Sequence, residues 1–185
     1  MNVYDFDETI LEGDTERYFW SWIFKNYPNV QGYKSEYLFY KSLQEMGLIS
    51  RDDSRPHMYA FLKEFENIDS IVDAFWVEHE CYIKKWYLKN RREDDVIISA
   101  TPEFLLVPIC KKLGVKHLIA SHMDKKTGKM CEKFNYAEQK VLRFKEVFVD
   151  TVPDCFYSDS ESDRFMAQIS KKAIKVIGND LVDWV

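Results

Sequence analysis

Apolar positions along this chain follow first a helical spacing and then an alternation of short strands with helices. The opening Met1 to Tyr4 suffices only for a very short strand. From Asp14 to about Asn90 apolar residues recur every three or four positions, as in helices that bury one face. Asp14 stands at the N-cap of a first helix over Thr15–Tyr27, which Pro28 helps to close. A second helix fits Lys34–Met46 and stops at Gly47. Ser54-Arg-Pro56 opens a third, with proline in its first turn, that runs to about Glu66. In the fourth, Ile68, Ile71, Val72, Phe75, His79, Tyr82, Ile83 and Trp86 fall on one stripe. Trp20, Trp22, Trp76 and Trp86 all lie in this region, which reads as a packed helical bundle.

After Arg92 the pattern changes. Val96-Ile-Ile98 is a buried-strand run that ends in Ser99-Ala-Thr-Pro102. A helix fits Glu103–Leu113 with Gly114 as its stop, and Val115–Ala120 is the next strand. Asp124-Lys-Lys-Thr-Gly128 has the composition of a hairpin turn. Tyr136–Val149 is helical, with Asn135 and Glu138 in capping-box-like positions. Cys155-Phe-Tyr157 and Ala173–Ile177 are further strands around a helix near Asp163–Ser170. The alternation predicts an α/β fold, a Rossmann-like parallel sheet wound in βαβ units. The expected domains are an α/β core over residues 1–13 and 92–185 and a helical block over residues 14–91, inserted after the first strand.

Composition narrows the class. With 46% apolar and 31% charged residues the chain is globular, and no run reaches the apolar length that crosses a bilayer. The N-terminus passes directly into acidic residues, without the basic start and apolar run of a signal peptide. Cys81, Cys110, Cys131 and Cys155 are widely spaced and read as free thiols, so a cytoplasmic location is expected. A net charge of -5 argues against a general nucleic-acid binder. His57, His117 and His122 are isolated and give no zinc spacing, and His79 on its apolar stripe reads as a core histidine.

The placement of the acids adds chemistry to this outline. In open α/β sheets, ligands bind beyond the carboxyl ends of the strands. Asp5 and Asp7 follow the first strand, Ser99 the second and Asp159 a later one, while Lys140 lies near the start of a helix entering the same edge. A carboxylate there can attack phosphorus and form an aspartyl-phosphate. A phosphate brought beside Asp5, Asp7, Asp159 and Asp163 needs compensating charge, and Mg²⁺ suits such a donor set. Lys140 adds a point charge, while Ser99 and backbone N–H groups near Phe6 and Asp7 can bind phosphate oxygens. Asp7 points to the same side as Asp5 in extended geometry and can protonate a leaving oxygen, then activate water. Each signal alone is weak: Asp159 and Asp163 can serve a helix N-terminus, and Lys133 and Lys145 flank Lys140. Their joint order along the chain points to phosphoryl chemistry.

Asp5-Phe-Asp7-Glu-Thr9, Val96-Ile-Ile-Ser99, Lys140 and Asp159-Ser-Glu-Ser-Asp163 together resemble the four motifs of the haloacid dehalogenase superfamily of phosphatases, in order over the whole chain. The block between the first two motifs resembles the helical cap of its phosphoserine phosphatase-like members. The resemblance implies Asp5 as nucleophile and Asp7 as acid/base. It implies Mg²⁺ held by Asp5, the Asp7 carbonyl and Asp159, with Asp163 supporting the metal shell. Phosphate is expected against Ser99 and Lys140, beside Phe6 and Ala100, with Thr9 bracing the loop. The implied activity is Mg²⁺-dependent hydrolysis of a small-molecule phosphomonoester. Transfer of the phosphoryl group to another acceptor, as in a phosphotransferase or mutase, stays open, as does a silent binding protein on the same fold.

Phosphoserine is not implied as the substrate. Phosphoserine phosphatases carry a substrate-binding glutamate where this chain has Asp14, and glycines where it has Ala100-Thr101. Asp14, Arg17 and Arg55 are the candidate substrate contacts, with a helix cap and surface arginines as the competing readings.

Overall fold

The computed structural model describes residues 1–184. Its strands are β1 (Asn2–Tyr4), β2 (Val96–Pro102), β3 (His117–Ser121), β4 (Cys155–Ser158), β5 (Ala173–Ile177) and β6 (Asp180–Asp183). They form one six-stranded sheet in the order β3-β2-β1-β4-β5-β6. All neighbours are parallel except β5 and β6, so the expected α/β sheet is borne out. Helices α1 (Thr15–Asn26), α2 (Lys34–Glu45), α3 (Arg51–Met58), α4 (Ile68–His79) and α5 (Lys85–Asn90) lie between β1 and β2. The others are α6 (Glu103–Leu113), α7 (Glu138–Val147) and α8 (Arg164–Ile169).

The pleat divides apolar residues between two cores, because successive side chains in a strand face opposite ways. Val3, Val96, Ile98 and Phe156 pack with Phe144 of α7 and Met166 of α8. Tyr4 and Ile97 face the other side, where Leu105 and Ile109 of α6 join Phe19 of α1 and Phe75 and Trp76 of α4. That second cluster is continuous from the sheet into the helices inserted after β1. The Trp76 indole N–H reinforces it by donating to the Leu105 carbonyl at 2.6 Å. Burying each such large side chain stabilises the fold by about 1.5–3 kcal/mol.

Several local expectations change. The third helix opens at Ser50, whose hydroxyl accepts the Asp53 N–H, so Pro56 falls inside α3 and the regular helix ends two residues later. The stripe from Ile68 to Trp86 is not one helix. Instead α4 stops at His79, and Ile83 pairs with Leu11 in an antiparallel bridge before α5 begins. His79 is satisfied within the helix, bonding the Phe75 carbonyl at 2.8 Å. Asn135 caps nothing: its buried amide donates to the Ser99 and Ile119 carbonyls, while Ala137, at φ 52°, precedes α7 without a side-chain cap. The start of β3 slips to His117 because the Val115 N–H closes α6 on the Cys110 carbonyl, past Gly114 at φ 72°. The strand β6 was not foreseen, since Asp180-Leu-Val-Asp183 is exposed throughout and carries no buried-strand pattern. The turn at Asp124–Gly128 is present, framed by a Met123–Met130 bridge. Among the described residues all four cysteines are free, and no helix is long and apolar enough to cross a membrane.

Strand order reverses beside β1. The chain steps outward from β1 to β2 and β3, then returns to place β4 on the other flank of β1. Such a switch point leaves a crevice at the strands' carboxyl ends.

Candidate active site

Asp5 is the first residue beyond β1, and its N–H still reaches the Tyr157 carbonyl of β4 at 2.9 Å. The chain then turns tightly: the N–H groups of Ile10 and Leu11 both donate to the Phe6 carbonyl, and Glu8 takes φ 54°. The Phe6 side chain is buried edge-on against Trp76. The N–H groups of Phe6 and Asp7 donate to no backbone acceptor among the described residues. A cavity of about 200 Å³ opens here, walled at the sheet edge by Asp5, Asp7, Ser99, Ala100, Lys140, Asp159 and Asp163. Sequence elements far apart are thus brought to one rim.

Lys140, in the first turn of α7, ties this rim together. Its ammonium donates to Asp5 Oδ1 at 2.8 Å and Asp163 Oδ2 at 2.7 Å. Ser158 adds a bond to the same Asp163 oxygen at 2.8 Å. Burial alone would lower the Lys140 pKa, but Asp5 and Asp163 more than reverse this and hold it above the usual lysine range. Burial pushes Asp5 up to about 8 against the pull of Lys140, and the charge of Asp163 adds to the rise. Asp159 is also raised, chiefly by burial.

Asp7 is anchored by residues the motifs did not flag. Thr15 donates to its Oδ1 through backbone N–H (2.7 Å) and hydroxyl (2.5 Å), and the Thr101 hydroxyl donates to Oδ2 at 2.5 Å. Burial, then the charge of Asp14, pushes Asp7 up to about 7, while these threonine bonds oppose the rise. Thr9 is fully buried and braces two loops, donating to Asp159 Oδ1 at 3.1 Å and accepting the Asp159 N–H at 3.0 Å. The Ser99 hydroxyl accepts the Thr101 N–H at 3.1 Å.

The opposite wall comes from the inserted helices: Asp14, Glu16, Arg51 and Arg55. Asp14 is both wall and N-cap, accepting the Arg17 N–H at 2.7 Å. Arg55 is not a surface arginine. Only 3% exposed, it donates to Glu16 Oε1 at 2.6 Å, and the Tyr59 hydroxyl meets the same oxygen at 2.5 Å. The structure does not bring Arg17 to this cavity; it faces two adjoining ones. Glu16 and Arg51 escaped the sequence reading. Glu16 stands two residues beyond Asp14, but nothing in the sequence marks Arg51, whose guanidinium lies 4.4 Å from the Tyr136 ring centre.

Among the described residues no three Asp, Glu, His or Cys side chains converge on a common metal position. Asp163 spends only Oδ2 on Lys140 and Ser158, and its buried Oδ1 has no partner among the described residues, whereas both oxygens of the Asp7 carboxylate are taken by its threonines. At the cavity Asp5 and Asp159, whose hydrogen bonds each land on Oδ1, likewise keep an oxygen free, and the Asp7 carbonyl accepts no bond. Two carboxylates and a carbonyl, completed by water and a phosphate oxygen, fit the preference of Mg²⁺ for few protein ligands.

A family model described as haloacid dehalogenase-like hydrolase matches residues 3–168. No curated protein sequence matches the chain. Among solved structures, a protein of unknown function from Bordetella pertussis Tohama I superposes with TM-score 0.77 at 18% identity, over 95% of this chain and 88% of that one. A phosphoserine phosphohydrolase-like protein from Francisella tularensis subsp. tularensis SCHU S4 gives 0.58 at 17%, over 95% and 87%. A phospho-aspartyl intermediate analogue of phosphoserine phosphatase gives 0.53 at 14%, over 94% and 84%. At such identities the likeness is one of fold.

Proposed function

The chain belongs to the haloacid dehalogenase-like hydrolase family, and from that premise we propose that it hydrolyses a small-molecule phosphomonoester with Mg²⁺, through an aspartyl-phosphate on Asp5. The observation that carries the reading is the buried Lys140 ammonium held between Asp5 and Asp163 at the sheet's switch point. It places a fixed positive charge beside a carboxylate facing a cavity, which is what an anionic phosphoryl group requires. Similarity to a phospho-aspartyl analogue of phosphoserine phosphatase supports the same reading. Residues 14–91 serve as a cap over a core of residues 1–13 and 92–185, and the free thiols fit a cytoplasmic setting.

Asp5, Asp159 and the Asp7 carbonyl would hold Mg²⁺, which supplies positive charge against the phosphoryl oxygens and the ionised carboxylates. Lys140 and the free N–H groups of Phe6 and Asp7 bind phosphate oxygens, with Ser99 beside them. An Asp5 oxygen bonds to phosphorus as the ester P–O bond breaks, and Asp7 gives its proton to the departing oxygen. Its pKa of about 7 suits both roles near neutrality. Water then surrenders a proton to Asp7, attacks phosphorus and frees inorganic phosphate, restoring Asp5. Thr15 and Thr101 hold the Asp7 carboxylate in place throughout.

The test is phosphate release over a panel of small phosphomonoesters, with and without Mg²⁺, for the native protein and Asp5→Asn. Metal-dependent release abolished by the substitution is expected. Equal activity in Asp5→Asn would sink the nucleophile assignment.

A further inference from the structure

The cavity over Asp5, at about 200 Å³, is smaller than the roughly 300–1,000 Å³ of ordinary ligand pockets. It does not stand alone. Asp14, Glu16, Arg51 and Arg55 also wall a second cavity of about 180 Å³. Arg17, Trp20, Tyr37 and Lys41 are shared in turn with a third, of about 530 Å³, between α1 and α2. Shared walls therefore string the three along α1, away from the catalytic edge.

The far cavity differs sharply in charge from the rest of the protein. On a chain of net charge -5 it is lined by Arg17, Lys25, Lys34 and Lys41 and by no carboxylate. Among the described residues only Lys41 of these has an ion pair, with Glu45 at 3.7 Å, and Arg51 at the near end has none. Two aromatic residues line it: Trp20 and Tyr37 stack with ring centres 4.3 Å apart. Two wall residues of the middle cavity, Trp20 and Arg55, are each at least 97% buried yet carry N–H donors (Nε1 and Nε) without a partner among the described residues. The far groove, with four cations and no carboxylate, is anion-accepting, and the middle cavity, which also carries Asp14, Glu16 and Glu45, joins it to the site.

We infer that the substrate carries a second anionic group, a phosphate or a carboxylate, and that the α1–α2 groove holds it while the scissile phosphate sits at Asp5. The inference rests on the phosphatase reading above. Trp20 lies about 9 Å beyond Asp14 along α1, at 1.5 Å per residue. That rise, from the near wall to the start of the groove, is the span the probes are chosen to bridge. Lys34 and Lys41 determine specificity at the far end, while Arg51 meets the linking segment. A merely solvated basic face would leave substrate choice independent of these lysines.

The probes are hexane-1,6-bisphosphate, the matching ω-carboxylate phosphate and 6-hydroxyhexyl phosphate, which differ only in the distal group. With Mg²⁺ the native protein should favour the two anion-tailed esters over the hydroxyl ester by about tenfold in kcat/KM, mainly through KM. Lys34→Ala/Lys41→Ala, checked for native circular dichroism, should lower that preference about fivefold or more, and added salt should do the same. Calorimetric binding of the same probes to Asp5→Asn reads the groove without turnover. No preference, or one that the double variant leaves untouched, overturns the groove while phosphate release leaves the phosphatase reading standing. Preferential binding that the double variant removes, without release from any probe, upholds the groove as an anion site and sinks the phosphatase reading.

Discussion

Two walls face each other across the cavity, and they are held in place differently. At the sheet edge, Asp5 and Asp159 each stand one residue past a strand, and the Tyr4–Tyr157 register of β1 with β4 fixes their spacing. Lys140 and the threonines then lock the carboxylates through buried bonds. On the helical wall, no ladder positions anything. Arg55 is where it is because Glu16 and Tyr59 hold it, and Arg51 rests on Tyr136. A wall set by backbone register tolerates little change without loss of the chemistry, whereas a wall set by side-chain pairs can be rebuilt for different ligands.

The sharpest way to break that contrast is Lys140→Met. It leaves Asp5 and Asp163 buried without their cation, and stability should drop by about 3–5 kcal/mol in urea unfolding at neutral pH. A negligible loss would show that the rim is not electrostatically locked. Next comes pH. Asp5 and Asp7 are raised from 3.8 to about 8 and about 7, so the folded metal-free protein binds more protons than the unfolded chain between these limits. Its stability should therefore fall as pH rises from about 4 to about 8. Mg²⁺ should raise Tm more at pH 8 than at pH 5, as scanning calorimetry would read; the reverse order would contradict these assignments.

Glu16→Gln probes the helical wall. Removing the charge opposite buried Arg55 should cost about 2 kcal/mol and raise KM more than it lowers kcat. A kcat-dominated effect would move Glu16 into the chemistry. The smallest expected effect is that of Thr101→Val. Its hydroxyl lowers the Asp7 pKa, so the limb of the kcat/KM profile set by Asp7 should move to higher pH by less than about one unit. An unmoved limb would assign it to another group.

The same contrast explains what the sequence revealed. The sheet edge was legible because strands announce themselves by short apolar runs, and the polar residues that follow must fall at one edge. Asp5, Asp7, Ser99, Lys140 and Asp159 could thus be found together. Thr15 and Thr101 could not, since a threonine's hydrogen-bond partner depends on where a distant turn arrives. The helical wall was least legible. Asp14 was visible as a cap, but Arg17 and Arg55 were equivalent on paper and are separated only by the pairing of Arg55 with Glu16 in the fold. The break after His79 and the exposed β6 were missed for a related reason: the bridge of Ile83 to Leu11 and an edge strand without a buried face leave no periodic trace.

The proposed hydrolysis turns on a covalent bond at Asp5. The direct measurement is mass spectrometry of protein mixed with a turned-over phosphomonoester and Mg²⁺, acid-quenched and digested. A phosphoryl group on the peptide that carries Asp5, absent from Asp5→Asn, is the predicted result. A phosphoryl group on another residue, or turnover that persists in Asp5→Asn, would contradict it.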